Sequence, residues 1–129
     1  SILVQSEITN ESDYLKNPNV GRLLNEMSLK KMKDWPKKNT ALSIIIADGL
    51  SAEAVNIHAI KLIEQLIPKL KFKTISPIII VKYGRVAISD EIGEMLNSSI
   101  ALILIGELYN ADFVKSTSLL NSFLKPLFL

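Results

Sequence analysis

The chain is predicted to be an α/β domain built on a parallel sheet, because three apolar runs each end in a glycine beside a charged residue. Ile44-Ile45-Ile46-Ala47 stops at Asp48-Gly49, Ile78 to Val81 runs into Lys82-Tyr83-Gly84-Arg85, and Ile100 to Ile105 into Gly106-Glu107. Segments with helical apolar spacing separate these runs. Strands and helices that alternate at this length need right-handed crossovers, which make consecutive strands parallel and put the helices on the sheet faces. All strand C-termini then share one edge, the edge at which open α/β sheets bind ligands. The 129 residues are expected to form a single domain: a strand, helix and linker over 1–42, an α/β core over 43–107 and a tail over 108–129.

Composition narrows the function classes. At this size folding buries roughly two thirds of the surface that the unfolded chain exposes, so a sizeable core is available. Hydrophobic residues make up 48% and charged residues 22%, as in ordinary folded domains. Fifteen basic and thirteen acidic residues are scattered in both signs, and the net charge of +2 is too weak a field to predict binding to nucleic acid or to an anionic membrane. The absence of cysteine excludes disulfides, thiolate zinc sites and a cysteine nucleophile within these residues, and it fits a reducing, cytoplasmic setting. No apolar run reaches the ~20 residues that span a bilayer, and the first residues lack a secretory pattern. The chain begins at Ser1, not methionine, and the expectation is a fragment of something longer.

The elements follow in order. Residues 2 to 4 are β-prone, and Thr9-Asn10-Glu11-Ser12-Asp13 favours a turn, because these short polar side chains compete for local backbone groups. Asn17-Pro18 is expected to start a helix whose stripe is Val20, Leu23, Leu24, Met27 and Met32, ending near Trp35-Pro36. Lys30, Lys31, Lys33, Lys37 and Lys38 crowd that end, where cations complement the helix dipole; an anion patch beside Trp35 is the alternative. Ser43 to Ala47 reads as a strand buried on both faces. Ser51 is the expected N-cap of a helix that presents Ala52, Val55, Ala59, Leu62, Ile63 and Leu66 on one face until Pro68. Strand Ile78 to Val81 follows Pro77, a short helix covers about Asp90 to Leu96, and the last strand is Ile100 to Ile105.

Several residues on the shared rim carry chemistry. Gly49 permits a sharp turn, and the helix start at Ser51 offers free amides to an oxygen-bearing group. Asp48 either accepts hydrogen bonds from a ligand or, with Ser51, serves only to cap the turn. Arg85 is a permanent planar donor for phosphate, carboxylate or an acidic partner, unless Asp90, Glu91 or Glu94 pairs with it. Glu107 ends a buried strand, where a carboxylate needs a partner. There is no G-x-G-x-x-G or Walker A sequence, and His58, the single histidine, has no companion for a metal site or a triad.

A resemblance adds what periodicity does not. Tyr14-Leu15-Lys16-Asn17-Pro18-Asn19-Val20-Gly21-Arg22 looks like a Tyr-Leu-x-x-Pro-Asp-x-Gly-Arg segment, and Ile46 to Ala52 carries an Asp-Gly-Leu-Ser turn. Tyr83-Gly84-Arg85-Val86-Ala87, Asp90-Glu91-Ile92-Gly93-Glu94 and Leu104-Ile105-Gly106-Glu107 follow in the right order and spacing. Over about residues 3 to 107 the chain resembles the small (light) subunit of ethanolamine ammonia-lyase, the adenosylcobalamin-dependent enzyme of bacterial ethanolamine utilisation. The resemblance implies a Rossmann-like domain that packs on the barrel-shaped large subunit in a hetero-oligomer, with cobalamin enclosed between them and the substrate held by the large subunit. It further implies conversion of ethanolamine to acetaldehyde and ammonia, and residence in a bacterial microcompartment. Cobalamin contacts map by motif onto Val86 and Glu107. No catalytic residue and no metal ligand is carried over to this chain.

The resemblance stops after Glu107. The family continues Arg-Pro-Gly-Leu, whereas Leu108-Tyr109-Asn110-Ala111 stands here, and the family's third cobalamin contact, a downstream cysteine, has no counterpart. Truncation, an altered reading frame or divergence would each produce such a tail. The alternatives to a working small subunit are a non-catalytic remnant and an unrelated α/β domain that binds a small molecule.

Overall fold

A computed structural model describes residues 1–36, 38–49 and 51–106. Strands β1 (Ile2–Gln5), β2 (Leu42–Ala47), β3 (Ile79–Lys82) and β4 (Ile100–Ile105) form one sheet in the order β1-β3-β2-β4, parallel throughout. The helices are α1 (Glu11–Lys16), α2 (Glu26–Lys33), α3 (Ala52–Ala54), α4 (Ile60–Leu66) and α5 (Ile88–Met95). A π-helical turn, Val55–Ala59, joins α3 to α4, and 3-10 turns occupy Pro18–Arg22 and Ile67–Lys69.

The period-2 pattern of the strands sorts the core into two layers. Ile45 and Ala47 of β2 join Ile2, Val4, Ile79, Val81, Ile103 and Ile105 beneath Met32 of α2 and Ile88 and Ile92 of α5. Leu42, Ile44 and Ile46 meet Leu102, Leu104, Ala59 and Ile63 on the other face, under α4. All six residues of β2 are buried, which is why the run carries no polar alternation. The chain advances across the sheet from β1 to β2 and from β3 to β4 but steps back from β2 to β3, so right-handed connections send α4 to the opposite face from α2 and α5.

The outer edge of β1 is covered by α2. Ser28 Oγ accepts the Gln5 N–H at 2.8 Å, the Asn25 N–H donates to Gln5 O at 3.0 Å, and Lys31 Nζ donates to Leu3 O at 2.8 Å. Lys38 Nζ donates to Lys33 O at the end of α2, the dipole-complementing role expected for this lysine cluster. Lys37 lies outside the described residues.

The first 35 residues differ from the sequence expectation. Asn10, read as part of a turn, instead caps α1 by accepting the Asp13 N–H at 2.8 Å; the side chain that favours a turn also favours an N-cap. The single helix expected from Asn17 to Trp35 is broken after Arg22. Leu23 is extended, the Glu7 N–H bonds its carbonyl, and Ser6 and Leu24 form an antiparallel bridge, so the backbone partners are taken from β1's continuation. Asn25 then caps α2 afresh through the Ser28 N–H. Of the expected stripe, Leu24 and Met32 are buried, whereas Leu23 and Met27 are exposed.

Candidate functional site

The rim at the C-terminal ends of the strands is tied together from within. Asp48 follows β2, and its Oδ1 accepts the N–H of Tyr83, just past β3, at 2.6 Å. The Asp48 N–H donates to Val81 O at 3.1 Å, and Asp48 O accepts the Ser51 N–H at 2.8 Å. Burial pushes the Asp48 carboxyl above the ordinary 3.8, although the Tyr83 amide, the charge of Lys82 and nearby backbone amides pull the other way. Ser51 Oγ accepts the Ala54 N–H at 3.1 Å, the expected N-cap. Gly49 has φ +54, and a Cβ there would strike the carbonyl oxygen of Gly106, so the ends of β2 and β4 touch backbone to backbone. Asp48 and Ser51 therefore build the rim, and the crevice between the ends of β2 and β3 is bridged by protein groups.

Beside this bridge, on the α5 face, lies a groove of about 330 Å³. Tyr14 of α1 and Arg22 of the 3-10 turn form one wall, and Arg85, Val86 and Ala87 of the loop after β3 form another, with Ser89 and Asp90 of α5 and Ile105 of β4 completing it. Local packing joins the walls. The Arg85 N–H donates to Gly21 O at 2.9 Å, and a Cβ on Gly21 would come within 2.6 Å of Arg85 Cγ, so only glycine allows this approach. The Tyr14 hydroxyl donates to Gly84 O at 3.4 Å, and the Arg85 guanidinium carbon stands 5.4 Å from the centroid of the Tyr14 ring. Val86 O accepts both the N–H and the hydroxyl of Ser89, and the Val86 residue is 55% exposed.

Of the residues singled out in the sequence, Val86 lines the groove, and Glu107 lies outside the described residues, immediately after Gly106. Arg85 also lines it. The carboxylate of Glu91, one expected partner, instead accepts the Leu24 N–H at 2.7 Å and fastens the segment before α2 to α5. His58 is exposed on the π-helical turn, and among the described residues no group of three or more His, Asp or Glu side chains is placed to hold a metal ion. No helix among the described residues is long and apolar enough to cross a membrane.

Tyr14 and Arg22 were missed as site residues. Helical periodicity from Asn17 to Trp35 picks out a core stripe that gives Arg22 no role, and Tyr14 precedes that segment, although the two stand at the ends of the Tyr-Leu-x-x-Pro-Asn-x-Gly-Arg string. The available signal was that string itself. Its Gly21 brings the 3-10 turn onto the loop after β3, and the groove forms where they meet.

Comparison with known proteins gives this groove its context. Residues 1–109 match the family described as ethanolamine ammonia-lyase light chain (EutC). The ethanolamine ammonia-lyase small subunit of Pseudomonas syringae pv. tomato is 38% identical over 112 residues, 83% of this chain and 39% of that protein. That of Azotobacter vinelandii is 39% identical over 111 residues, 82% of this chain and 41% of that protein. The small subunit of Pseudomonas fluorescens is 34% identical over 112 residues. The chain spans about two fifths of the length of the curated relatives it matches. With the family match running through every described element, from β1 to the end of β4, this chain belongs to the ethanolamine ammonia-lyase light-chain family.

Proposed function

We propose that the chain serves as the small subunit of an adenosylcobalamin-dependent ethanolamine ammonia-lyase, and that its groove helps hold the corrinoid against a large subunit carrying the substrate. One observation carries the reading: residues from four separate family-like motifs, Tyr14 and Arg22, Arg85 to Ala87, Asp90, and Ile105, line the same groove. A stability requirement alone would spread such residues through the core, yet here they surround open volume at the ligand-binding edge of an α/β sheet.

The residues present suit part of a corrinoid. A corrinoid is a broad molecule with a hydrophobic ring rim and many amide arms, much larger than this groove, so the chain would take one edge and leave the rest to a partner. Exposed Val86 beside Ile105 offers apolar contact to the ring rim, and Arg22 and Arg85 offer donors to amide oxygens. Glu107, the second contact the resemblance implies, follows Gly106 in the sequence and belongs to the same proposed contact set. When bound, adenosylcobalamin supplies the cobalt–carbon bond cleavage that initiates conversion of ethanolamine to acetaldehyde and ammonia; the chain's own part is to hold and orient. The same reading gives the protein a Rossmann-like core and a bacterial microcompartment as its destination.

The test is reconstitution. Capture of a large subunit by this chain, strengthened by a corrinoid, is the expected result, and failure to associate with or without a corrinoid would overturn the assembly reading. Acetaldehyde release from ethanolamine by the reconstituted complex then separates a working subunit from a non-catalytic remnant that only binds.

A further inference from the structure

We propose that Arg22 and Arg85 form an oxyanion subsite in the groove, one that takes a phosphate-type oxygen. The two arginines come from different elements, the 3-10 turn and the loop after β3, yet line one groove of about 330 Å³. Arg85 is held at both ends: its N–H is bonded to Gly21 O at 2.9 Å, and its guanidinium carbon lies 5.4 Å from the centroid of the buried Tyr14 ring. An aromatic face orients a guanidinium without using its hydrogen-bond donors, which remain directed to other acceptors. Among the described residues neither arginine is engaged by a carboxylate, and Glu91, the acidic side chain nearest in sequence that is partly buried, is committed to the Leu24 N–H. Among the described residues of the lining, Asp90 is the one acidic side chain, beside the two arginines.

Two arginines in one lining match the several acceptor oxygens of a phosphate better than the single oxygen of an amide. Val86 and Ile105 in the same lining add an apolar surface, so the ligand favoured is a phosphate ester attached to a hydrophobic body. Resting on the function proposed above, that ester is the phosphodiester of the corrinoid's nucleotide arm; a free phosphate would present the same chemistry.

The experiment has two arms that separate these sources. In the first, the 129-residue chain is titrated with inorganic phosphate against chloride at equal ionic strength, with thermal unfolding followed by far-UV circular dichroism. In the second, the complex with a large subunit is titrated with cobalamin and with cobinamide, which lacks the nucleotide arm and its phosphodiester. The variants are Arg22→Met and Arg85→Met, which keep an aliphatic stem, and Arg85→Lys, which keeps the charge without the planar fork. Expected are stabilisation of the chain by phosphate that both Met variants lose, and a preference for cobalamin over cobinamide that falls roughly ten- to hundredfold in Arg85→Met. A phosphate response with equal affinity for the two corrinoids keeps the subsite and reassigns it to free phosphate. Corrinoid binding with neither a phosphate response nor a cobalamin preference overturns the subsite and leaves the proposed function standing. If no corrinoid binds but phosphate still stabilises the chain through both arginines, the subsite stands and the proposed function fails.

Discussion

Asp48 holds Tyr83 in a left-handed backbone conformation. Tyr83 has φ 55, a region costing a residue with a side chain about 1–2 kcal/mol, and it is gripped from both sides: Asp48 Oδ1 accepts its N–H at 2.6 Å, and the hydroxyl of buried Ser6 donates to its carbonyl at 2.7 Å. This kink turns the chain out of β3 and sends Gly84, Arg85 and Val86 toward the 3-10 turn, where the groove forms. The aspartate of the Asp-Gly-Leu-Ser turn thus acts on the groove through the backbone of the neighbouring strand end.

Replacing Asp48 by alanine leaves the Tyr83 N–H without its acceptor and is expected to cost about 1–3 kcal/mol. Asp48→Asn retains Oδ1 and should stay closer to the wild type. Urea unfolding monitored by Trp35 fluorescence measures both; equal stability of the alanine and asparagine variants would show that the bond contributes nothing.

The raised pKa of Asp48 has a signed consequence for stability. The folded state holds the proton more tightly than the unfolded state, so this group's contribution to stability is fully present below the unfolded value near 3.8 and is lost as pH rises through the folded value. Wild type should therefore gain stability relative to Asp48→Asn as pH falls across that interval. The difference between the two urea midpoints, followed from about pH 7 to about pH 3.5, measures this; a flat difference refutes the assigned burial effect.

Gly49→Ala should destabilise the chain by more than about 2 kcal/mol, because it combines a positive φ with a collision against the Gly106 carbonyl. Gly106→Ala meets the carbonyl oxygens of Ser51 and Asp48 and should be comparably damaging. Gly93→Ala is the internal control: its Cβ would meet only Ala101 Cβ, at 3.2 Å, inside α5, so a change within about 1 kcal/mol of wild type is expected. Thermal unfolding of the three variants would reveal whether the junction of β2 and β4 is as tight as described.

Ile92→Ala removes a fully buried side chain from the contact between α5 and the sheet and should cost about 2–5 kcal/mol, with Ile92→Val costing about 0.5–1.5 kcal/mol. Chemical denaturation tests this directly. Near-neutral behaviour of Ile92→Ala would mean that α5 is not anchored as the packing indicates.

Val86→Asp probes the proposed corrinoid contact without loading the core. Because Val86 is 55% exposed, unfolding stability should change by no more than about 0.5 kcal/mol. Corrinoid affinity of the complex with a large subunit should fall at least about tenfold if a carboxylate replaces an apolar contact there. Unchanged affinity would remove Val86 from the proposed contact set.

The core was legible because its signals are local. The isoleucine run of β2, the apolar run of β4 and the Ser51 cap appear in the structure within a residue or so of where the pattern puts them, since an apolar run and N-cap chemistry are properties of the residues of one segment. The first 35 residues were harder. Whether Val20 to Met32 runs as one helix depends on a competing partner, and the bridge from Ser6 to Leu24 wins those backbone groups.

The same division separates the parts of the groove. Strand ends with glycine and charge are written in the chain, so the edge on which a site would lie, and the family-like motifs that bear Val86 and Arg85, are legible in the sequence alone. The strand order β1-β3-β2-β4, the commitment of Asp48 to Tyr83 and the meeting of Tyr14, Arg22 and Arg85 across some seventy positions of sequence could not. These depend on which distant segments pack side by side, and contacts between segments leave no periodicity in either one of them.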